Sequence, residues 1–416
     1  MSTLHPERFL RGLFDIAVES ANPSQILPPH LPLPPTGRTL VLSAGKAAAS
    51  MARAVETLWL GDLSGLAVTR YGHGVECEHI EVIEAGHPLP DDAGHGAARR
   101  FLALADGLGK DDLLLFLISG GASALLVEPP EGLGLNDKRL ITHALLESGA
   151  PIDEINCVRK HLSAIKGGRL AAAAYPARVA TLAISDVPND DPTVIGSGPT
   201  TGDPTTCADA LAIADHRAIR LPEHVRRALS AGSWETIKPD DPLLANAYYR
   251  LVAGPAGSQK AAANAAESAQ IKPMLLGANL EGEARDVGYE HAGIARAAPP
   301  GVILSGGETT VTLKGRRGRG GRNCEYLLAL AIALEGAPGI HAIACDTDGI
   351  DGTEDAAGAH IRPDTLMRAA SAGLNPLKML EEHDSFTFFE KLDDLIWTGP
   401  TRTNVNDFRA IMVTGR

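Results

Sequence analysis

The chain has 416 residues, more than one ordinary core accommodates, which favours two domains. Hydrophobic residues make up 44% and charged residues 21%, close to the globular average, so a disordered chain is excluded; 44 glycines and 28 prolines indicate many tight loops between short elements. A formal charge of -13 without an extended basic stripe speaks against nucleic-acid or anionic-membrane partners, while leaving room for a small anion held by local cations.

Residues 4–18 carry apolar positions at helical spacing (Phe9, Leu13, Ile16, Ala17) interrupted by Glu7, Arg8, Arg11 and Asp15, which fits neither a signal peptide nor a membrane span. The cysteines, Cys77, Cys157, Cys207, Cys324 and Cys345, are odd in number, scattered and without a C-x-x-C pair. A disulfide framework or structural zinc site is therefore not expected, and a reducing cytoplasm suits the chain.

After the proline-rich stretch Pro28–Pro35, β-branched or leucine runs alternate with alanine-rich helical stretches, the pattern of a parallel sheet wrapped by helices. Strands are expected at 39–43, 66–69, 80–83, 113–118 and 179–184, and helices near 47–58, 92–105, 137–147 and 152–164. Residues 1–236 thus read as a Rossmann-like, doubly wound domain. The polar, proline-containing stretch Ser233–Pro242 marks the boundary. A smaller α/β domain over 237–416 follows, with strands at 249–253, 274–276, 302–304, 311–313, 340–344 and 410–413 and helices near 257–269, 283–297 and 324–334.

Several strand ends open into loops with chemical potential, which is where open α/β sheets bind ligands. Gly45-Lys46 follows the first strand and opens a helix, where backbone N–H groups and an ammonium suit a phosphate or carboxylate, although the Walker pattern is absent. Gly86-His87-Pro88 offers a histidine whose reading is divided between a structural loop and a substrate contact, with Asp91 or Asp92 as a helix cap. Ser119-Gly120-Gly121-Ala122-Ser123 is echoed by Ser305-Gly306-Gly307, so each domain contributes a glycine-lined rim with Ser119, Ser123 or Ser305 as donors. Asp186, Asp190 and Asp191 cluster after another strand and are candidates for Mg²⁺ or for orienting a hydroxyl, against a plain Asx turn.

In the second domain, Arg316, Arg317, Arg319 and Arg322 lie in a glycine-rich loop, with Arg322 best placed at a helix start to meet phosphoryl charge. Asp346, Asp348 and Asp351 form a second carboxylate cluster; it lacks the glutamate and preceding helix of an EF-hand, leaving metal binding, substrate positioning or a turn.

Ala44–Ala48, Gly86–Asp91, Ser119–Ser123 and Ser185-Asp186-Val187, together with Ser305–Val311, Gly320–Asn323 and Asp346–Gly352, resemble the glycerate 2-kinase family, the last three its MOFRL domain. The resemblance implies two α/β domains with the site in the cleft between them, a MOFRL-type second domain, ATP and Mg²⁺ as cofactors, and phosphorylation of D-glycerate, usually at the 2-hydroxyl. It gives Lys46 and Arg322 the catalytic roles; Gly45, Ser119, Gly120, Gly121, Ser123, Ser305, Gly306, Gly307, Glu308 and Asn323 are then phosphate or substrate contacts. After Arg322-Asn323 the family often has glutamine, where this chain has Cys324. Two rival readings are an NAD(P)H-dependent hydroxypyruvate reductase, against which stands the missing G-x-G-x-x-G, and a two-lobed binder of small organic acids without catalysis, against which stand the doubled carboxylate clusters.

Overall fold

The computed structural model describes residues 5–313 and 318–415. It contains two compact units, one formed by residues 23–185 and 190–252, the other by 1–22, 186–189 and 253–416. These spans depart from a division at 236/237 for two reasons. The stretch Ala247–Ala253 is a strand of the first sheet, and the N-terminal helix packs on the second.

The first sheet comprises β1 (Thr39–Ala44), β2 (Ser64–Arg70), β3 (Ile80–Ala85), β4 (Leu113–Ile118), β5 (Arg178–Ile184) and β6 (Ala247–Ala253), in the order β3-β2-β1-β4-β5-β6. Strands β3 to β5 pair in parallel, as a doubly wound sheet requires. Strands β1 and β4 are buried at every position, which is why Leu113–Ile118 reads as an unbroken apolar run rather than an alternation. Asp91 caps the helix Asp92–Asp106, accepting from the Gly94 amide at 3.0 Å.

The second sheet comprises β7 (Pro273–Leu280), β8 (Gly301–Gly307), β9 (Ile340–Asp346), β10 (Gly358–Ile361), β11 (Leu395–Ile396) and β12 (Asp407–Val413), in the order β11-β10-β9-β12-β8-β7. It is mixed: β12 runs antiparallel to both β8 and β9, whereas β7 and β8 are parallel. The expected strand at 311–313 is not formed; Thr310 and Thr312 are instead bound by the Glu283 carboxylate. The helix Pro6–Glu19 buries Leu10, Leu13, Phe14 and Ala17, a stripe turned from the expected one, since Ile16 is 40% exposed. That stripe joins Ala262, Leu304, Phe408 and Ala410 in one apolar cluster. Ligand chemistry in such sheets is sought at the carboxyl ends of the strands. No helix among the described residues is long and apolar enough to cross a membrane.

Phe116 lies in β4 with no solvent exposure. Phe116→Ala is expected to lower stability by about 3–5 kcal/mol through lost burial and a residual cavity, read as a lower urea midpoint of the unit that holds β4.

Candidate active site

In the first unit the end of β1 turns at Gly45, whose φ of 127° and lack of a Cβ let it lie against Ser119 Oγ and the Ser119 carbonyl. The turn is closed by Lys46 N–H donating to the Gly120 carbonyl at 2.8 Å. Ser119 is fully buried, and its hydroxyl accepts the Ala47 amide at 3.0 Å. It therefore fixes the start of the helix Ala48–Leu58 instead of offering a hydroxyl to substrate, a correction to its expected role. Gly121 brings two other groups close: a Cβ placed there would lie 3.1 Å from the His87 ring and 3.2 Å from Lys46 Cγ. Gly45, Lys46, His87, Gly120, Gly121 and Ser123 thus belong to one neighbourhood, as their motifs imply.

Ser123 shares a hydrogen bond with Ser197 Oγ at 2.9 Å, and its carbonyl accepts from Lys166 Nζ at 3.0 Å. Lys166 is one of three cations that sequence reading missed here, with Lys138 and Arg159. Burial, then mutual repulsion, drives the Lys166 ammonium well below the ordinary lysine range and Lys138 to about 7. A signal was available in the chain, because Arg159, Lys160, His161 and Lys166 crowd the end of one helix that also carries Ile155, Cys157 and Val158 on its buried side.

In the second unit, Arg322 begins the helix Arg322–Leu334 and gathers three carboxylates. Nε donates to both Asp407 oxygens at 2.9 Å, Nη1 to Glu308 Oε1 at 2.9 Å and Nη2 to Asp346 Oδ2 at 2.9 Å. Burial works against its charge, but Asp407, Asp346 and Glu308 outweigh it and hold the guanidinium firmly protonated. The Arg322 side chain keeps 23% of its surface exposed and Glu308 51%, so this cluster is open to a ligand on one side.

Other expected contacts face inward. Asn323 is fully buried and donates to Asp407 Oδ1 at 2.8 Å; Gly307 lies against the Leu280 backbone, and Ser305 is 3% exposed within β8. Asp351, 1% exposed, accepts the Asn323 and Cys324 amides on its two oxygens, each at 2.9 Å, so it caps the helix. Asp348 is equally buried and binds the Ile350 amide at 2.9 Å, which makes it a turn former. Asp346 remains at the site through Arg322. Arg319 ion-pairs with Glu354 at 2.8 Å and stacks on Phe386, while Arg316 and Arg317 lie outside the described residues.

Asp186 ends up in the second unit, where Asn404 Nδ2 donates to its Oδ2 at 2.7 Å and Asn406 Nδ2 to its carbonyl at 2.9 Å. Asp190 is grouped with the first unit; its Oδ1 is buried without a hydrogen-bond partner. Asp191 closes a turn on Thr193. Among the described residues the set of three ligand atoms within 4.8 Å of one another is His161, Cys207 and Glu235, where the Lys238 ammonium, 2.5 Å from Glu235, already supplies the positive charge.

Residues 9–230 match the family described as "Domain of unknown function (DUF4147)", and residues 301–407 the MOFRL family. A glycerate 2-kinase of Pyrococcus horikoshii is 40% identical over 91% of this chain and 88% of its own length, and a D-glycerate 2-kinase of Thermotoga maritima 39% identical over 94% of each. An Agrobacterium vitis protein named "Putative hydroxypyruvate reductase" is 54% identical over 97% of this chain and 94% of its own. A crystal structure of glycerate kinase from Thermotoga maritima superposes with a TM-score of 0.88 at 36% identity, covering 98% of this chain and 99% of that one.

Two outcomes test these assignments. Asp351→Ala leaves two buried amides unpaired and is expected to cost about 1–3 kcal/mol in chemical denaturation. Because the folded chain releases the Lys138 proton near 7 and the unfolded chain only in the ordinary lysine range, the Lys138 contribution to stability should rise with pH between those two points and be flat below about 7; Lys138→Met should reduce the slope of stability with pH in that window.

Proposed function

Because the chain belongs to the glycerate kinase family, we propose that it transfers the terminal phosphoryl group of ATP to D-glycerate, giving 2-phosphoglycerate and ADP. The observation that carries this reading is that proteins named as glycerate 2-kinases match more than nine tenths of the chain, across both units. The reductase name of the Agrobacterium vitis protein attaches to the same family, yet here β1 leads into Ala44-Gly45-Lys46-Ala47, without the glycine fingerprint that seats a dinucleotide.

The chemistry asks for positioned charge more than for covalent intermediates. A glycerate hydroxyl oxygen attacks the terminal phosphorus, the bond from that phosphorus to the ADP oxygen breaks, and the hydroxyl proton leaves. Lys46 and Arg322 contact the transferred phosphoryl group or the glycerate carboxylate. Arg322 suits this because its carboxylate partners orient it before substrate arrives, so little reorganisation is needed. Asp346, held by Arg322 on one oxygen and by the Asp348 amide on the other, orients the attacking hydroxyl.

Mg²⁺ would be held by Asp190, a hard oxygen donor of the loop after β5. The unpartnered buried Oδ1 of Asp190 fits a cation, whereas Asp348 and Asp351 are committed to backbone amides. The ion would neutralise phosphate charge.

With ATP, Mg²⁺ and D-glycerate, purified protein should release ADP only when glycerate is present, and phosphorus NMR should identify 2-phosphoglycerate. Lys46→Ala and Arg322→Lys should each lower kcat by about 10²–10³-fold while melting normally. Normal turnover in both variants would remove these two residues from the mechanism.

A further inference from the structure

One cavity of about 760 Å³ lies wholly within the first unit and runs from His87 and Gly121 to the helices Leu135–Glu147 and Ile152–His161. Its volume falls in the ~300–1,000 Å³ range of pockets that enclose drug-sized ligands, and a three-carbon acid would fill only a corner of it. The chemistry of its walls is divided. Its lining includes the apolar Pro88, Leu135, Leu140 and Leu146 and also the basic Lys138, Arg159 and Lys166.

These cations lack the partners that buried charges ordinarily have. Lys138 donates to the Leu162 carbonyl and Lys166 to the carbonyls of Ser123 and Gly196, so their charge is solvated but not neutralised. Arg159 makes no hydrogen bond or ion pair among the described residues, and burial disfavours its charged form. Elsewhere the chain pairs its buried cations: Lys160 with Asp203 at 2.7 Å, Arg409 with Asp407 at 2.6 Å. Glu128 acts on Lys138 from a distance, but none of the three makes an ion pair with a carboxylate among the described residues, and three neighbouring cations so placed call for a polyanion, since one carboxylate would offset only one of them.

We propose that this cavity is the nucleoside triphosphate site, with the phosphates over Lys138, Arg159 and Lys166 and the base against the leucine-lined wall. The proposal rests on the kinase reading for its choice of nucleotide. It also gives Lys46 a place, because Gly121, part of the cavity wall, brings the Lys46 stem to its end beside His87. The terminal phosphate then points towards Lys46 and the base towards Leu140. Ser123, hydrogen-bonded to Ser197 and seated on Lys166, offers a hydroxyl to the same phosphates.

The test combines steady-state kinetics with equilibrium binding of a fluorescent N-methylanthraniloyl ATP to the full chain. Arg159→Gln removes one phosphate contact. Leu140→Glu changes a side chain that is 69% exposed, so it places a carboxylate at the mouth without disturbing the core. Each should raise the KM for ATP and weaken probe binding by about tenfold or more, the size of one lost charge-assisted contact, with the KM for glycerate changed by less than about twofold. Should Arg159→Gln fail to fold, Leu140→Glu decides alone. Unchanged ATP KM and probe binding would overturn the assignment, as would a rise confined to the glycerate KM. Probe binding that Leu140→Glu weakens, in wild-type protein that shows no glycerate-dependent ADP release, would uphold the cavity and sink the kinase reading instead.

Discussion

The second unit is organised around the Asp407 carboxylate. Asp407 opens β12, in register with Gly307 of β8 on one side and Asp346 of β9 on the other, so it stands where three strand ends meet. Its two oxygens take hydrogen bonds from Arg322, Arg409 and Asn323, and it has 3% exposure. A carboxylate so placed is tolerable only because two guanidinium groups share it; without it, the buried Arg409 would lose its carboxylate partner, while Arg322 would keep Glu308 and Asp346. The same contacts aim Arg322. Its direction is thus set by the sheet rather than by the loop before it, which is what the role proposed for it, meeting phosphoryl charge in a fixed geometry, requires.

The first unit treats its charges in the opposite way. Lys138, Arg159 and Lys166 line one cavity with carbonyl oxygens or nothing as hydrogen-bond partners, and the field they create is offset by the protein only in part, through Glu128 acting on Lys138. The penalty falls on the folded state, as the lowered pKa of Lys138 and Lys166 shows, and is lifted when an anion binds. One unit therefore carries a cation already neutralised and oriented, the other cations waiting for their counter-ion. The two arrangements suit different tasks, stabilising charge that develops during transfer and holding charge that is present from the start.

Much of this was legible in the chain. Runs such as Leu113–Ile118 reveal buried parallel strands because both faces are covered, and β-α alternation reveals a doubly wound first sheet, though not the order of its strands. Lys46 and Arg322 stand out as cations at helix starts following strand ends. What stayed hidden depends on partners distant in sequence. Asp407 is 85 residues from Arg322, and nothing near it marks it as the hub. In Asp-Thr-Asp-Gly-Ile-Asp-Gly, Asp351 reads equally as a metal ligand, a substrate-positioning group or part of a turn, whereas its contacts 28 residues back make it a helix cap. The strand Ala247–Ala253 opens what reads as a new β-α alternation, yet it completes the earlier sheet; local period cannot tell which edge a strand will join.

The two Ser-Gly-Gly copies make the same point at the level of a motif. At the end of β4, Ser119 is spent holding the helix after β1, and Gly121 clears space for His87 and Lys46. At the end of β8, Gly307, with a φ of 117°, clears space for the backbone of Leu280, a neighbouring strand, while Ser305 stays within the sheet. In both places the glycines serve close approach, but a side chain with catalytic potential is what approaches in one and main chain in the other. The repeated letters record a shared need of strand ends for a residue without a Cβ. The chemistry comes from what each sheet then brings alongside: an ammonium in the first unit, and in the second a guanidinium that Asp407 has already turned outward.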